Sequence, residues 1–306
     1  MWYKPLLRRP FHLLLAIIEE LWRTASWVSG RLRPAAVREW ATPGGQRVLV
    51  IAPHPDDEAI GCGAAIVRHI AAGDNVLVAF ITDGRRSQAL GLGPEAMAQR
   101  RQQEAAASAA ILGARWEWLG LPEGEWATDE LCHTLRQIVE REQPALIYGP
   151  SRVDFHPEHR RVAQALAMAL GAAAGEAVRV RVVQLHVPLT STLTNLVCAA
   201  GSAREQANAA LRAYGSQWGS VARVLRMRRY SAARYGLPDE AEEFWELSAA
   251  AYRAVHRGTP ESWAWRCFYG VRLRPWSDPL AYLRGRGERR HLKQISAAQP
   301  EGGQVC

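Results

Sequence analysis

Short apolar runs alternate with longer amphipathic segments between residues 47 and 190 of this 306-residue chain. Runs of four to eight apolar, β-branched-rich residues predict strands, and longer segments with apolar residues every three or four positions predict helices. The predicted strands are 47–52, 75–82, 115–119, 145–149 and 179–187. The predicted helices are 58–72, 95–112, 128–142 and 157–174. Such alternation is typical of an α/β fold with a Rossmann-like, mostly parallel sheet and helices on both faces.

The strand pattern fades after about residue 200. Two further helices are predicted there, at 202–214 and 239–256, with the arginine-rich stretch Arg223–Arg234 between them. We therefore expect the α/β domain to carry a helical C-terminal extension. The predicted organisation is a basic, tryptophan-rich N-terminal segment, one catalytic domain and a basic aromatic extension with a polar tail, at 1–45, 46–256 and 257–306.

Positive charge is concentrated at the two ends of the chain, whose formal net charge is +8. Residues 1–45 hold seven Lys and Arg against three acids, and residues 255–306 hold nine against four, so the middle is nearly neutral. Basic ends favour an anionic partner, and we expect a membrane surface. Nucleic acid is not expected, because the sequence has no zinc-finger, RNA-recognition or basic helix-turn-helix pattern.

The N-terminal segment Met1–Trp27 places aromatic and basic residues around an apolar centre at 11–18. That centre is about half of the ~20 residues that a membrane-spanning helix needs. The pattern is typical of an interfacial helix, and packing on the protein's own surface is the open alternative. Five cysteines without a CxxC pair indicate neither a disulfide framework nor a thiolate metal site. A cytoplasmic location is therefore expected, with membrane-peripheral attachment as a further hypothesis.

Ionisable side chains follow two of the predicted strands. His54, Asp56 and Asp57 come directly after the first strand, and the stretch DFHPEH at 154–159 follows the fourth. Parallel strands end at one edge of a sheet, so we expect these groups to converge there. A His/Asp pair three residues apart plus one distant His makes a three-ligand site with an open position for water, as catalytic zinc needs. The mixed nitrogen and oxygen donors also suit ferrous iron, so the metal stays open.

The PHPDDE sequence at 53–58 and the HPEH sequence at 156–159 together resemble the PIG-L/LmbE family of metal-dependent N-acetyl-sugar deacetylases. The resemblance implies a zinc site. It also implies that His54, Asp57 and His159 are the metal ligands, because these residues match the ligand positions of the family motifs.

The resemblance implies two catalytic residues as well. Asp56 matches the general base, which takes a proton from the metal-activated water. His156 matches the group that stabilises the oxyanion, for which an imidazolium is best suited. Two positions depart from the family pattern: Glu158 stands where HPDH has Asp, and Asp154 stands where some relatives place a Tyr over the substrate. We expect the carboxylate of Asp154 to contact a sugar hydroxyl or an amine of the substrate.

Three weaker resemblances mark the rim of the expected site. Asp83 lies in a TDG turn that is similar to a family turn, and an ordinary βα turn is the alternative. Arg101 matches the arginine of the family's RxxE helix, with a substrate phosphate or a buried carboxylate as its expected partner. A helix-face ion pair with Glu104 is the alternative for that arginine. The YxSQ element at 214–217 is similar to one found late in many family members, and substrate contact and helix capping are both open for it. Asp83 and Arg101 are thus predicted substrate-binding residues.

The predicted function is hydrolysis of the N-acetyl group from a GlcNAc-containing substrate, releasing acetate and a free amine. The basic, tryptophan-rich ends favour a substrate linked to a lipid or a phosphate. Two alternatives stay open. One is an amidase of the same family that cleaves another amide, such as a thiol conjugate. The other is a membrane-peripheral binding protein without turnover, against which the complete set of motif residues argues.

Overall fold

A computed structural model describes residues 17, 20–32, 37–154, 156–173, 177–256 and 286–298. The predicted N-terminal segment and C-terminal extension therefore lie largely outside the described residues. The aromatic part of the extension, at 257–285, lies outside them entirely.

One sheet runs through the described part of the chain. Its strands are β1 (Arg38–Glu39), β2 (Arg47–Ala52), β3 (Asn75–Thr82), β4 (Arg115–Leu121), β5 (Leu146–Gly149), β6 (Arg179–Val183), β7 (Leu196–Ala199) and β8 (Ala241–Ser248). Their order in the sheet is β1-β7-β8-β6-β5-β2-β3-β4. Strands β2 to β6 pair in parallel, whereas β8 is antiparallel to both β6 and β7. The predicted mostly parallel, Rossmann-like α/β sheet is confirmed.

Helices follow the strands in the predicted alternation. They are α1 (20–32), α2 (Asp57–Ala71), α3 (Pro94–Leu112), α4 (Thr128–Glu142), α5 (Pro157–Ala173), α6 (Thr190–Leu193), α7 (Arg204–Arg212), α8 (Trp218–Tyr235), α9 (Ala249–His256) and α10 (Arg286–Ala297). The bounds of α2 to α5 agree with the predicted helices to within one residue at each end. Local signals explain this agreement in α3, which begins at a proline and ends where Gly113 takes the left-handed φ of 78°.

Alternate residues of the central strands face two buried apolar layers. Val48 and Val50 of β2 pack in a layer with α2, α3, α7 and α8. Leu49 and Ile51 of the same strand pack in the opposite layer with α4, α5 and α9. Helices therefore cover both faces of the sheet, as predicted for parallel strands that are buried on both sides.

The segment 239–256, predicted as one helix, is strand β8 followed by the short helix α9. Glu242 and Glu243 interrupt the apolar pattern that predicts a strand, although both side chains are buried. Glu242 accepts a hydrogen bond from Arg228, and Glu243 accepts one from Ser231. The helix prediction was wrong because a carboxylate in a buried strand is tolerated only with partners that tertiary structure supplies.

Other parts of the C-terminal region also differ from the prediction. β7 and the two-residue β1 continue the sheet beyond β8, so the region after residue 195 is not simply a helical extension. Helix α8 covers the arginine-rich stretch that was expected to connect two helices. The predicted strand 179–187 ends earlier, at Val183, and the residues after it form a loop at the edge of the sheet.

Phe244 of β8 has no exposed surface and packs against Tyr148, with ring centroids 5.3 Å apart. Phe244→Ala should lower the free energy of unfolding by about 3–5 kcal/mol, because it leaves a cavity in a packed layer. Chemical denaturation of the two proteins measures the difference. Met168→Ala, at a side chain that is 42% exposed, is the control and should change stability by about 0.5 kcal/mol or less. A loss below about 1 kcal/mol for Phe244→Ala would contradict the central position of β8.

Candidate metal centre

The first motif forms the turn between β2 and α2. Asp57 is the first residue of α2, and its Oδ2 accepts the backbone N–H of His54 at 2.8 Å. Asp56 has a φ of 123°, in a region that side chains other than glycine rarely adopt. Such strain persists only where the surroundings hold it, and it is common at functional sites. The turn directs all three side chains into one cavity beyond the carboxyl end of β2.

The cavity has a volume of about 250 Å³. The loops that follow β2, β3, β4, β5 and β6 all contribute to its wall. It is lined by His54, Asp56, Asp57, Ile60, Gly84, Arg86, Ser87, Arg101, Glu123, His156, Leu185, His186, Gln217 and Val224. The two sequence motifs therefore meet at the carboxyl edge of the sheet, where open α/β folds place their ligands.

Three donor atoms in this region lie close together. His159 Nε2 is 3.0 Å from His54 Nδ1 and 3.1 Å from Asp57 Oδ2. His54 Nδ1 is 3.5 Å from the same carboxylate oxygen. Ligands bound 2.0–2.1 Å from a tetrahedral zinc ion are separated from one another by roughly 3.3 Å. The three atoms therefore fit one divalent cation.

Other groupings of donor atoms share His159. Two sets each lie within 4.8 Å: His54, His156 and His159, and Asp154, His159 and His186. We favour the set that includes Asp57, because its carboxylate is anionic and lies within 3.5 Å of both imidazoles. A carboxylate with two neutral imidazoles is an established ligand set for catalytic zinc.

Buried carboxylates make this a site for positive charge. Burial alone lowers the pKa of His159, but Asp57 and Asp154 raise it to about 10. Burial likewise opposes the charge on His54, whose hydrogen bonds to Asp57 and Glu123 raise its pKa to about 9. The pKa of Asp57 is well below its usual range because its imidazole neighbours outweigh its burial. A bound cation would replace the protons on these imidazoles, since metal ligands must be deprotonated.

Asp154 lies behind His159 and does not line the cavity. Its Oδ2 is 3.0 Å from His159 Nδ1 and 3.4 Å from His186 Nδ1, and its Oδ1 accepts the backbone N–H of His156. A hydrogen bond at Nδ1 fixes the tautomer in which Nε2 of His159 can bind a metal. These partners occupy the carboxylate of Asp154 in the structure, and its contact with substrate stays a prediction.

Asp56 faces the cavity and is held by Arg101. Arg101 Nη2 lies 3.3 Å from Asp56 Oδ1 and also donates to the carbonyl of Pro55. Its Nη1 donates to Ser216 Oγ at 3.3 Å. Burial raises the pKa of Asp56, and the guanidinium of Arg101 opposes that rise. Arg101 thus has a buried carboxylate as its partner, which was one of its two expected partners.

His156 lies beside the three donor atoms on the wall of the cavity. Its ring centroid is 4.7 Å from that of His54 and 4.9 Å from that of His159. Burial, followed by the positive charges of those two imidazoles, lowers the pKa of His156 to about 2. This direction is opposite to the one that an imidazolium at His156 needs, and the imidazolium stays a prediction. A neutral imidazole still donates one N–H.

Asp83 joins two loops at the rim. Its Oδ1 accepts the backbone N–H groups of Arg85 and Glu123, and its Oδ2 pairs with Arg85 Nε at 2.6 Å. The side chain does not line the cavity. These contacts are those of an ordinary βα turn, and the contact of Asp83 with substrate stays a prediction.

The YxSQ element at 214–217 packs against the helices that carry the site. Its tyrosine donates to Glu58 at 2.6 Å, its serine to Glu104 at 2.5 Å and its glutamine to Ser87 at 2.7 Å. Glu104 also pairs with Arg100, at 2.8 Å, and not with Arg101. The element therefore supports the site through buried hydrogen bonds, and its glutamine reaches the cavity.

The sequence analysis missed three ionisable residues that line the cavity: Arg86, Glu123 and His186. Glu123 Oε1 lies 3.6 Å from His54 Nε2, and the backbone N–H of Arg86 donates to the other oxygen of Glu123 at 3.1 Å. Each of the three follows a parallel strand, β3, β4 or β6. That position was the available signal, since the strand pattern already predicted where these loops would gather.

Residues 49–170 match the family model described as PIG-L: GlcNAc-PI de-N-acetylase. This range contains both motifs, including every residue of the three-donor set. Residues 49–170 form a PIG-L domain. A similar curated protein is the 1D-myo-inositol 2-acetamido-2-deoxy-alpha-D-glucopyranoside deacetylase of Kineococcus radiotolerans, 28% identical over 170 residues. The match covers 44% of this chain and 47% of that protein, so the chain spans about half the length of the curated relatives it matches.

Solved structures share the fold of the PIG-L domain. The N,N'-diacetylchitobiose deacetylase from Pyrococcus horikoshii has a TM-score of 0.59 and 22% identity, over 68% of this chain and 85% of that chain. The 4-carboxy-2-hydroxymuconate hydratase from Pseudomonas putida KT2440 has a TM-score of 0.57 and 21% identity, over 66% of this chain and 96% of that chain. Likeness at this level shows the fold alone. Because a hydratase shares the fold, the chemistry must be argued from the site.

Asp154→Asn keeps the shape of the side chain but removes the charge next to His159. We expect the affinity for zinc to fall about 10–100-fold, because the carboxylate that orients a metal-binding imidazole also raises its basicity. Competition with a chromophoric chelator measures the affinity. Asp83→Asn is the control, since it changes an equally buried carboxylate that contacts no imidazole and should leave zinc affinity unchanged. Equal zinc affinity in Asp154→Asn and the wild type would contradict the orienting role.

Proposed function

We propose that the PIG-L domain is a metal-dependent hydrolase that removes the N-acetyl group from a GlcNAc-containing substrate. The observation that carries the proposal is the meeting of three donor atoms, a buried carboxylate and a further imidazole at one cavity. The matched family and the Kineococcus relative, both named as deacetylases of acetamido sugars, support it.

His54, Asp57 and His159 would hold the ion. Zinc is the expected metal for this donor set, and ferrous iron is compatible with it. When bound, the ion supplies a Lewis acid that lowers the pKa of water and polarises the amide carbonyl. Asp154 and Glu123 support the two imidazoles from outside the donor set.

The remaining chemistry belongs to side chains of the protein. Asp56 accepts a proton from the attacking water at its carboxylate and returns that proton to the departing amine nitrogen. The water oxygen first bonds to the carbonyl carbon, and the amide C–N bond then breaks as Asp56 protonates the nitrogen, so the products are acetate and a free amine. Arg101, 3.3 Å from Asp56, keeps this carboxylate in place. His156 donates its N–H to the developing oxyanion, a contribution of about 3–4 kcal/mol in comparable sites.

A lipid- or phosphate-linked GlcNAc is the substrate that we propose within this class. A second cavity, of about 640 Å³, adjoins the first, and Arg86 and Ser87 line both. The second cavity leaves room for a group attached to the sugar. Arg86 offers a positive charge to a phosphate, and Leu92, which is 43% exposed, offers an apolar contact to a lipid or another apolar group.

The test is acetate release from a panel of GlcNAc conjugates by metal-loaded protein, with and without a chelator. We expect one equivalent of bound metal and acetate release that the chelator abolishes. Bound metal without acetate release would favour the alternative amidase, which cleaves another amide such as a thiol conjugate. A protein that takes up no metal would contradict the proposal and leave a membrane-peripheral binding protein as the surviving hypothesis.

Asp56→Asn should bind zinc normally but lose turnover by at least about 100-fold, because the amide cannot accept the proton of the attacking water. Metal content and the rate of acetate release are measured on the same preparation. Asp239→Asn, which changes an exposed carboxylate far from the cavity, is the control and should retain the full rate. A rate above a tenth of the wild type in Asp56→Asn would exclude its role as general base.

A cytoplasmic location with attachment to an anionic lipid surface is our proposal for the cellular setting. Cys62, Cys132 and Cys198 are free thiols, which suits a reducing compartment. Within the described ranges no helix is both long and apolar enough to cross a membrane. The surface contact would therefore be made by α1, whose Trp22 packs on the core and whose Ser26 is buried.

Helix α1 exposes an apolar stripe away from its buried side. Leu21, Val28 and Leu32 are 65%, 39% and 75% exposed, and Ile17 continues the stripe. Their spacing of four and seven residues places them on one face of a helix. The segment around them is rich in arginine and tryptophan, so it offers a lipid surface both an apolar contact and positive charge. Self-association of the protein through this stripe would instead bring two positively charged segments together.

Leu21→Glu combined with Val28→Glu should weaken binding to vesicles of phosphatidylglycerol and phosphatidylcholine at least about tenfold, because each change removes an apolar contact and adds negative charge. Co-sedimentation with the vesicles measures binding. Met168→Glu, on the distant helix α5, is the matched control and should bind as the wild type does. Equal binding by all three proteins would contradict attachment through α1.

A further inference from the structure

Helix α2 is broken one turn after the residues of the candidate metal centre. Cys62 has φ −151° and ψ 27°, which are not helical values, although helical residues lie on both sides of it. The first turn carries Asp57 and Ile60, both of which line the cavity, and Ile60 N–H donates to the carbonyl of Asp56 at 2.8 Å. The site is therefore built on a short turn whose orientation is not dictated by the rest of the helix.

A buried ion pair occupies the break. Glu242 Oε1 accepts the backbone N–H of Ala64 at 2.8 Å, and Glu242 Oε2 accepts that of Ala65 at 3.0 Å. In an unbroken helix these two N–H groups would donate to carbonyls of the preceding turn. The carboxylate thus caps the second part of α2 as an N-terminal residue would.

The arginine of the pair bonds to the other side of the break. Arg228 Nη2 donates to the carbonyl of Ala59 at 2.6 Å and lies 3.4 Å from that of Ile60. The same nitrogen is 2.6 Å from Glu242 Oε1. Arg228 therefore donates to the carbonyls at the end of the first turn. Glu242 accepts from the N–H groups at the start of the second part of the helix.

The two residues come from different elements, α8 and β8, and each is 3% exposed. Removing two charges from water costs free energy that their pairing only partly offsets, so such a pair is not explained by stability alone. Close packing restricts the same turn, since a Cβ on Gly61 would lie 2.8 Å from Val183 Cβ. This contact and the ion pair both restrict the orientation of the first turn of α2.

We propose that Arg228 and Glu242 are positioning residues for the site: by joining the two parts of α2 at a fixed angle, they aim Asp57 at the metal and Asp56 at the attacking water. Neither side chain lines the cavity. The inference rests on the proposed function for its catalytic consequence. Its effect on metal binding can be measured without any substrate.

The chain supplies a matched control on the same strand. Glu246 lies four residues after Glu242 on β8 and pairs with three arginines, none of which lies on α2: Arg38 at 2.9 Å, Arg179 at 3.2 Å and Arg181 at 2.8 Å. Glu242→Gln and Glu246→Gln each remove one arginine-paired carboxylate charge from β8, and only the Glu242 charge bonds to backbone groups of α2. A merely structural role for both carboxylates predicts losses of stability and no change in metal binding.

We expect Glu242→Gln to lower zinc affinity about 10–100-fold, the range found for residues that orient metal ligands. We also expect it to lower kcat at saturating zinc at least tenfold with little change in KM. Glu246→Gln should alter only the unfolding transition. Equal zinc affinity in the two variants would overturn the proposal, whether or not the protein proves to be a deacetylase.

Arg228→Lys keeps the experiment decisive if Glu242→Gln does not fold. Lysine retains the charge near Glu242, but a single ammonium cannot reproduce the planar contacts to the carboxylate and the two carbonyls. A folded Arg228→Lys protein should show the same loss of zinc affinity. Wild-type zinc affinity in that variant would overturn the proposal as well.

Discussion

Negative charge buried at one edge of the sheet is the constraint on which the rest of the site depends. Asp57 and Asp154 lie on opposite sides of His159, which has no exposed surface. Two carboxylates in this position would be costly to bury without positive partners. The imidazoles meet that requirement, and the same arrangement of donor atoms fits a divalent cation. Because the two aspartates come from the loops after β2 and β5, the requirement also ties these loops together.

The mixed sheet has a functional consequence that its parallel half alone would not provide. Strand β8 runs antiparallel between β6 and β7, and it carries Glu242 to the break in α2. Helix α8 brings Arg228 to the same place. Elements that follow the PIG-L domain in the sequence thus complete the frame of a site whose motifs all lie within 49–170. Helix α2, broken at Cys62, is where the PIG-L domain bonds to Arg228 and Glu242 from the elements that follow it.

The fold leaves the chemistry open, since a deacetylase and a hydratase both share it. What distinguishes this chain is the content of its cavity. Arg101 pairs with a buried Asp56, burial and neighbouring positive charge lower the pKa of His156, and Arg86 lines both this cavity and a larger one beside it. These features favour hydrolysis of an amide on a sugar that carries a further group.

The sequence by itself determined the strands and helices from β2 to α5, because hydrophobic period is a local property. It also determined the convergence of both motifs, because each motif follows a strand of a parallel sheet. It did not reveal β8, since Glu242 and Glu243 obscure a strand that is buried only through distant partners. It also predicted that Asp154 contacts substrate, and it did not reveal that this carboxylate lies behind His159. Residue types in the two motifs predicted which side chains belong to the candidate site. Only the packing of separate elements decided which atoms face the cavity, because burial and partnership arise between parts of the chain that are far apart in sequence.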